Sequence, residues 1–214
     1  MDSRRLVVLS VLLFGSLWGL VELGIGEFAY LNDVPRAPIL TAFGVLFMVL
    51  ARAVWSAPGS TLALAAVASV YKVLQHPVWG CKLAAVVLVG AVFEIGFTLY
   101  ERRASTRTSP ARVWPVAALS ATLTFVSFVL FGYFAKYVLL NPYWTAPEKL
   151  LDYQFVQGPI AALLAVPAAW AGVASARRLL EAVPSWSRAS WVAYRMVAVG
   201  SGVAGVAAAI ALRY

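Results

Sequence analysis

Long apolar runs separated by short polar breaks organise this chain from end to end. Seven runs can be drawn, at about 6–26, 38–55, 60–76, 82–100, 113–140, 154–176 and 190–211. A helical bilayer crossing takes about 20 residues, so seven crossings would use roughly 140 and leave only short loops. The breaks carry the residues that stop helices. Glu27, Asn32, Asp33, Pro35 and Arg36 separate the first two runs, and Ser56-Ala57-Pro58-Gly59 forms a turn before the third. His76-Pro77 ends the third run, because proline cannot continue the backbone ladder. A polar loop from Glu101 to Arg112 precedes the fifth, which is long enough to be tilted or broken near Gly132. The pattern predicts an all-α, polytopic integral membrane helix bundle of six to seven transmembrane helices in a single domain.

Composition agrees with the pattern. Apolar residues make up 62% of the chain and charged residues 12%, with mean hydropathy +0.83. A soluble domain usually runs near 45–50% apolar and about 25% charged. A water-soluble enzyme, a disulfide-rich secreted module and a disordered tail are thereby excluded. The amino-terminal run imitates a signal peptide, but it continues to about Gly26 without a small-x-small cleavage site, so an uncleaved first span is expected.

The net charge of +8 changes the picture through its placement. The basic residues cap apolar runs and do not form a dense patch with interleaved aromatics, so nucleic acid is not an expected partner. With the amino terminus inside, the inner segments hold Arg4, Arg5, Arg52, Arg102, Arg103, Arg107, Arg112, Arg177, Arg178 and Arg188. The outer ones hold Arg36, Lys149 and Arg213, with Lys82 at a helix mouth. That asymmetry is the positive-inside signature of a multi-pass membrane protein with its amino terminus on the cytoplasmic side and the lipid bilayer as its surroundings.

The informative chemistry is charge inside the spans, since an unpaired ionised group at mid-bilayer costs at least about 2.5–3.5 kcal/mol. At 1.5 Å per residue, Glu22 lies about 6 Å inside the outer end of span one, and Lys72 and Lys136 lie at similar depth in spans three and five. His76 stands one turn above Lys72, and Lys82 opens span four. Glu22, Lys72, His76, Lys82 and Lys136 are therefore expected to converge on one outer layer. Their positive excess would favour an anionic or carboxylate-bearing small molecule. The competing reading makes Glu22 and Lys72 a structural salt bridge, lets Lys82 and Lys136 snorkel to headgroups, and leaves His76 as a helix cap. Glu94 lies about 9 Å from the inner end of span four, near the level of Arg52 on span two, and an interhelical ion pair between them is expected.

Span one carries a second pattern. Gly15, Gly19, Glu22 and Gly26 recur at helical spacing and share one face. Gly15-x-x-x-Gly19 lets another helix approach closely, either within the chain or from a partner subunit. Absences narrow the chemistry further. Cys81 and His76 are the only residues of their kinds, which removes disulfides and multi-cysteine metal or iron–sulfur sites within the chain. There is no phosphate loop and no H-E-x-x-H or G-x-S-x-G motif. No cofactor and no catalytic residues are expected.

The run Gly15-Ser16-Leu17-Trp18-Gly19-Leu20-Val21-Glu22, followed by Pro38-Ile39-Leu40 with Gly44 and Arg52, then Lys72, then Lys82 through Glu94, resembles the substrate-binding (S) components of energy-coupling factor transporters. The likeness covers roughly residues 6–100, and the remainder follows by hydropathy alone. S components are small helical bundles that bind a vitamin or metal ion near the outer face. Their first helix docks on a transmembrane coupling subunit, and separate ATPase subunits supply energy. The resemblance implies Gly15 and Gly19 as partner-docking positions, although the family normally has alanines there. It also implies Glu22, Lys72, His76 and Lys82 as substrate contacts. The histidine-rich amino terminus of the cobalt and nickel members is missing, which argues against a transition-metal substrate. The function expected is substrate capture for an importer. The alternative is a structural or assembly subunit of a larger membrane complex, with no ligand of its own.

Overall fold

The computed structural model describes residues 3–31, 36–55, 57–73, 80–104 and 113–182, together with Tyr194, 196–198, Gly200 and Ala207. Its elements are α1 (Ser3–Leu31), α2 (Arg36–Trp55), α3 (Ser60–Val73), α4 (Gly80–Ala104) and α5 (Val113–Tyr137), then a 3-10 turn (Pro142–Trp144), α6 (Pro147–Asp152), a π segment (Tyr153–Gln157) and α7 (Gly158–Ala182). Among the described residues there is no strand. The fold is all-α.

Five stretches are long and apolar enough to cross a membrane: Val7–Ile25, Arg36–Trp55, Gly80–Arg103, Val113–Tyr137 and Pro147–Ala182. The third run is different. Its helix α3 has 14 residues, about 21 Å at 1.5 Å per residue, against a hydrocarbon core of about 30 Å. His76, on the continuation of this run, lies outside the described residues. Most of the seventh run lies outside them too. Of its described residues, Ala198 is buried in the main core, and the Tyr194 hydroxyl is 2.7 Å from Ser10 Oγ on α1.

Two expected loops are shorter than the sequence suggests. Residues 27–31 continue α1, and α2 begins at Arg36. The 141–153 stretch is largely helical, for local reasons. Asn141 Oδ1 accepts from the Tyr143 N–H and caps the 3-10 turn, while Pro142 and Pro147 start their helices where a missing N–H costs nothing. The helix then runs through α6 and the π segment into α7, 36 residues in all. That is about 54 Å, longer than a bilayer core requires.

Helix packing closes a ring. α1 packs on α2, α2 on α7, α7 on α5, α5 on α4, α4 on α3, and α3 on α1. With successive helices alternating in direction, α1 and α3 run parallel, as do α2 and α7. The main core is filled by Trp18, Val45, Met48, Val49, Leu64, Phe93, Phe97 and Val116, all essentially inaccessible. Outside the ring, Ile95, Leu99, Leu163 and Trp170 are exposed on the perimeter that lipid would cover. Apolar contacts alone do not hold helices together in lipid, so close approach and polar links between helices carry more of the stability. This ring has both. The polar links lie at its two ends.

Candidate functional site

At the end where α1 finishes and α2 begins, the ring encloses a cavity of about 200 Å³. Helices α1 to α5 and the π segment contribute. Trp18 and Glu22 come from α1, Arg36, Ala37, Leu40 and Thr41 from α2, and Lys72 from α3. Lys82, Ala85, Val86 and Val89 come from α4, Ser127, Phe128 and Phe131 from α5, and Tyr153 from the π segment. Three of the five residues singled out for an outer site, Glu22, Lys72 and Lys82, thus face one cavity. Arg36 joins them, a residue the sequence assigns to a loop.

Glu22 is the hub of the buried polar contacts. Its Oε1 accepts from the Trp18 indole N–H one turn back, at 3.0 Å, and its other oxygen forms an ion pair with the Lys72 ammonium. Both partners of that pair are buried. The indole ring is fixed in turn by Gly44, where a Cβ would come within 2.6 Å of Trp18. Trp18 therefore ties α1 to α2, and Glu22 ties α1 to α3.

The glycine stripe of α1 lies on that same face. A Cβ at Gly15 would lie 2.7 Å from Val67 and 3.0 Å from the Leu64 carbonyl oxygen, and one at Gly19 would collide with the Tyr71 ring. Both glycines are buried against α3. The close approach that Gly15 and Gly19 permit is the one to α3, inside the chain.

Lys136 does not line the cavity. Its ammonium lies 5.2 Å from the centre of the Tyr137 ring, and the shared depth that suggested it is not a shared direction. Turning at 100° per residue, α5 places Lys136 about 140° around from Phe131, which does face the cavity. Its expected role as a substrate contact is not supported by this placement. His76 lies outside the described residues.

The cavity's aromatic wall comes from a feature that periodicity could not show. Tyr153 stacks on Phe128, with ring centres 4.7 Å apart and planes 20° apart. It also contacts Phe131 at 5.7 Å and Trp144 at 4.8 Å. Next to it, the buried Gln154 donates from Nε2 to the Val129 carbonyl at 3.0 Å. Two consecutive residues thus both turn toward α5. A regular α-helix would put them 100° apart, and the extra residue of a π turn relaxes that constraint.

A second polar centre occupies the opposite end, about 24 Å away along α2. Arg52 is fully buried. Its Nη1 lies 3.0 Å from Glu94 Oε1 and 2.8 Å from the Ala57 carbonyl. Its Nε and Nη2 grip Glu101 in a two-point contact at 3.1 and 2.8 Å, and Nη2 also reaches Thr98 Oγ1 at 3.1 Å. All five guanidinium N–H groups are placed. Glu94 additionally accepts from the Gly59 N–H at 2.7 Å, from the Thr61 N–H and hydroxyl at 3.1 and 2.6 Å, and from the Thr98 hydroxyl at 3.0 Å. Gly59 makes its contact with φ +87°, a left-handed conformation natural to glycine. This centre joins α2, the start of α3 and α4, and its polar groups satisfy one another. It reads as a clamp.

Among the described residues, no group of three or more His, Cys, Asp and Glu stands together as a metal site. The cavity end can hold a small solute by charge and by aromatic contact. Comparison of the chain with protein-family models, with curated proteins and with solved structures found no match.

Proposed function

We propose that this protein is the substrate-capture membrane subunit of an importer, resembling an S component. In this reading it binds a small anionic solute in the cavity between α1–α5 and the π segment. The ring of α1, α2, α3, α4, α5 and α7 crosses a bacterial inner membrane, with α3 as a short span, and the apolar run at about 190–211 adds a further crossing. The amino terminus lies inside, so the cavity opens outward.

One observation carries the reading: Arg36, Lys72 and Lys82 line the same cavity as a single carboxylate, Glu22. Charges placed around an internal space at membrane depth are costly unless they serve a pathway or a ligand. Aromatic and aliphatic walls around a few converging polar groups are the usual composition of a ligand site. Water exclusion in such a space strengthens each polar contact. Energy and the inward step would come from a transmembrane coupling subunit with ATPase subunits, bound on a surface other than the Gly15–Gly19 stripe.

A second reading, an assembly subunit without a ligand, draws on the fact that Glu22 and Lys72 already satisfy each other. Purification of the tagged protein from its native membrane in mild detergent separates the two. Capture predicts a co-purifying ATPase together with a small anion released by solvent extraction. Protein partners lacking any ATPase, with no small molecule released, would establish the assembly reading instead.

A further inference from the structure

We propose that a groove between α4 and α5, at the inner end of the ring, holds one anionic phospholipid. Its phosphate rests on Arg103 and Tyr100, and one acyl chain lies along Gly96, Leu99 and Leu119. The site is at the opposite end from the cavity and does not depend on what the cavity captures.

The sequence sets the shape of this groove. Gly96 is followed by Leu99, Tyr100 and Arg103 at spacings of three, four and seven residues, so one face of α4 carries all four over about 10 Å. From α5 comes Leu119, about 9 Å in from the helix start at Val113. Leu123 of α5 seats on Gly96, where a Cβ would collide with it, and that contact marks the deep end. The groove between the two helices measures about 480 Å³. Other neighbours in the ring meet more extensively than α4 and α5 do. Leu99 is half exposed, and so is Ile95 one turn away, which puts the groove on the perimeter that lipid covers.

Polarity is graded along it. The apolar stretch of α4, Gly80–Arg103, has 24 residues. That is about 36 Å against a hydrocarbon core of about 30 Å, so Arg103 comes at headgroup level. Arg103 is exposed, and neither its guanidinium nor the Tyr100 hydroxyl has a hydrogen-bond or ion-pair partner among the described residues. The planar guanidinium fork can meet two phosphate oxygens at once, and the phenol O–H adds another donor.

Charge selects the occupant. The carboxyl end of α4 disfavours an anion through its dipole, so Arg103 itself must supply the attraction. A zwitterionic lipid offers the same chains but adds a cation that Arg103 repels, whereas an anionic lipid offers the phosphate alone. Basic pockets between helices on the cytoplasmic side suit anionic headgroups for this reason. Arg102 is also exposed, but it does not line the groove.

The test is native mass spectrometry of delipidated protein titrated with phosphatidylglycerol and phosphatidylcholine of identical chains. The first phosphatidylglycerol should bind about fivefold more tightly than phosphatidylcholine, equivalent to about 1 kcal/mol from one basic residue. Arg103→Gln should remove that preference, and Arg102→Gln should keep it. Leu99→Trp, at an exposed position, should fill the groove and weaken the first phosphatidylglycerol without lowering the melting temperature. Equal binding of the two lipids by the wild type overturns the proposal. So does a preference that Arg103→Gln leaves intact, or one that the two arginine variants reduce alike, which would assign it to diffuse surface charge. Undiminished phosphatidylglycerol binding by Leu99→Trp would remove the groove from the account.

Discussion

Glu22 on α1 and Lys72 on α3 form a buried ion pair one turn beyond the point where Gly19 meets Tyr71. The two contacts depend on each other. The glycines bring the parallel helices close, and the closeness lets two side chains neutralise each other away from water. Removing one partner of such a pair leaves an uncompensated charge, at a cost of about 3–5 kcal/mol, whereas an apolar replacement of both is often nearly neutral. Lys72→Met should therefore lower the melting temperature in detergent markedly. The double variant Glu22→Leu with Lys72→Met should recover most of the loss. A double variant as unstable as the single one would show that the pair is not the source of the effect.

Arg52 predicts a larger effect from one residue. Arg52→Met leaves Glu94 and Glu101 facing each other without their cation, and the loss should exceed about 3–5 kcal/mol because two carboxylates are stranded. Arg52→Lys should rescue little, since an ammonium cannot reproduce the two-point grip on Glu101. Thermal unfolding of both variants decides it. Full rescue by lysine would reduce the clamp to simple charge.

Gly19→Leu separates packing from docking. The added side chain would enter the Tyr71 ring, so α1 and α3 must move apart and the Glu22–Lys72 pair with them. Stability should fall, and retention of a small molecule should fall in parallel. A stable variant that keeps its ligand and loses only a partner subunit would restore the docking role to this stripe.

Much of this arrangement was legible in the sequence because depth along a helix is linear in residue number. The levels of Glu22 with Lys72 and of Arg52 with Glu94 follow from counting, and so does the shared face of Gly15, Gly19 and Glu22. What lies opposite a face does not follow, which is why the stripe suggested a foreign partner. Lys136 shows the same limit, since its depth matched and its direction about the helix did not. Glu101 looked like the first residue of a cytoplasmic loop, yet α4 continues through it to Ala104. Arg36 was hidden likewise, because α2 starts two residues earlier than the apolar run. The wall of Phe128, Phe131 and Tyr153 gave no signal at all. In lipid, aromatic residues can face either way, and the π turn that aims Tyr153 has no sequence period of its own.

The central claim, that the cavity beneath Arg36 and Lys82 exists to hold a solute, is met most directly by filling it. Ala85 lines the cavity on α4, and Ala85→Phe would occupy that space with an apolar ring. Native mass spectrometry of wild-type and variant proteins, matched for melting temperature, then reads occupancy. The account predicts a small-molecule adduct on the wild type that is missing from the folded variant. An adduct of equal abundance on both, or bare protein in the two spectra alike, would contradict it.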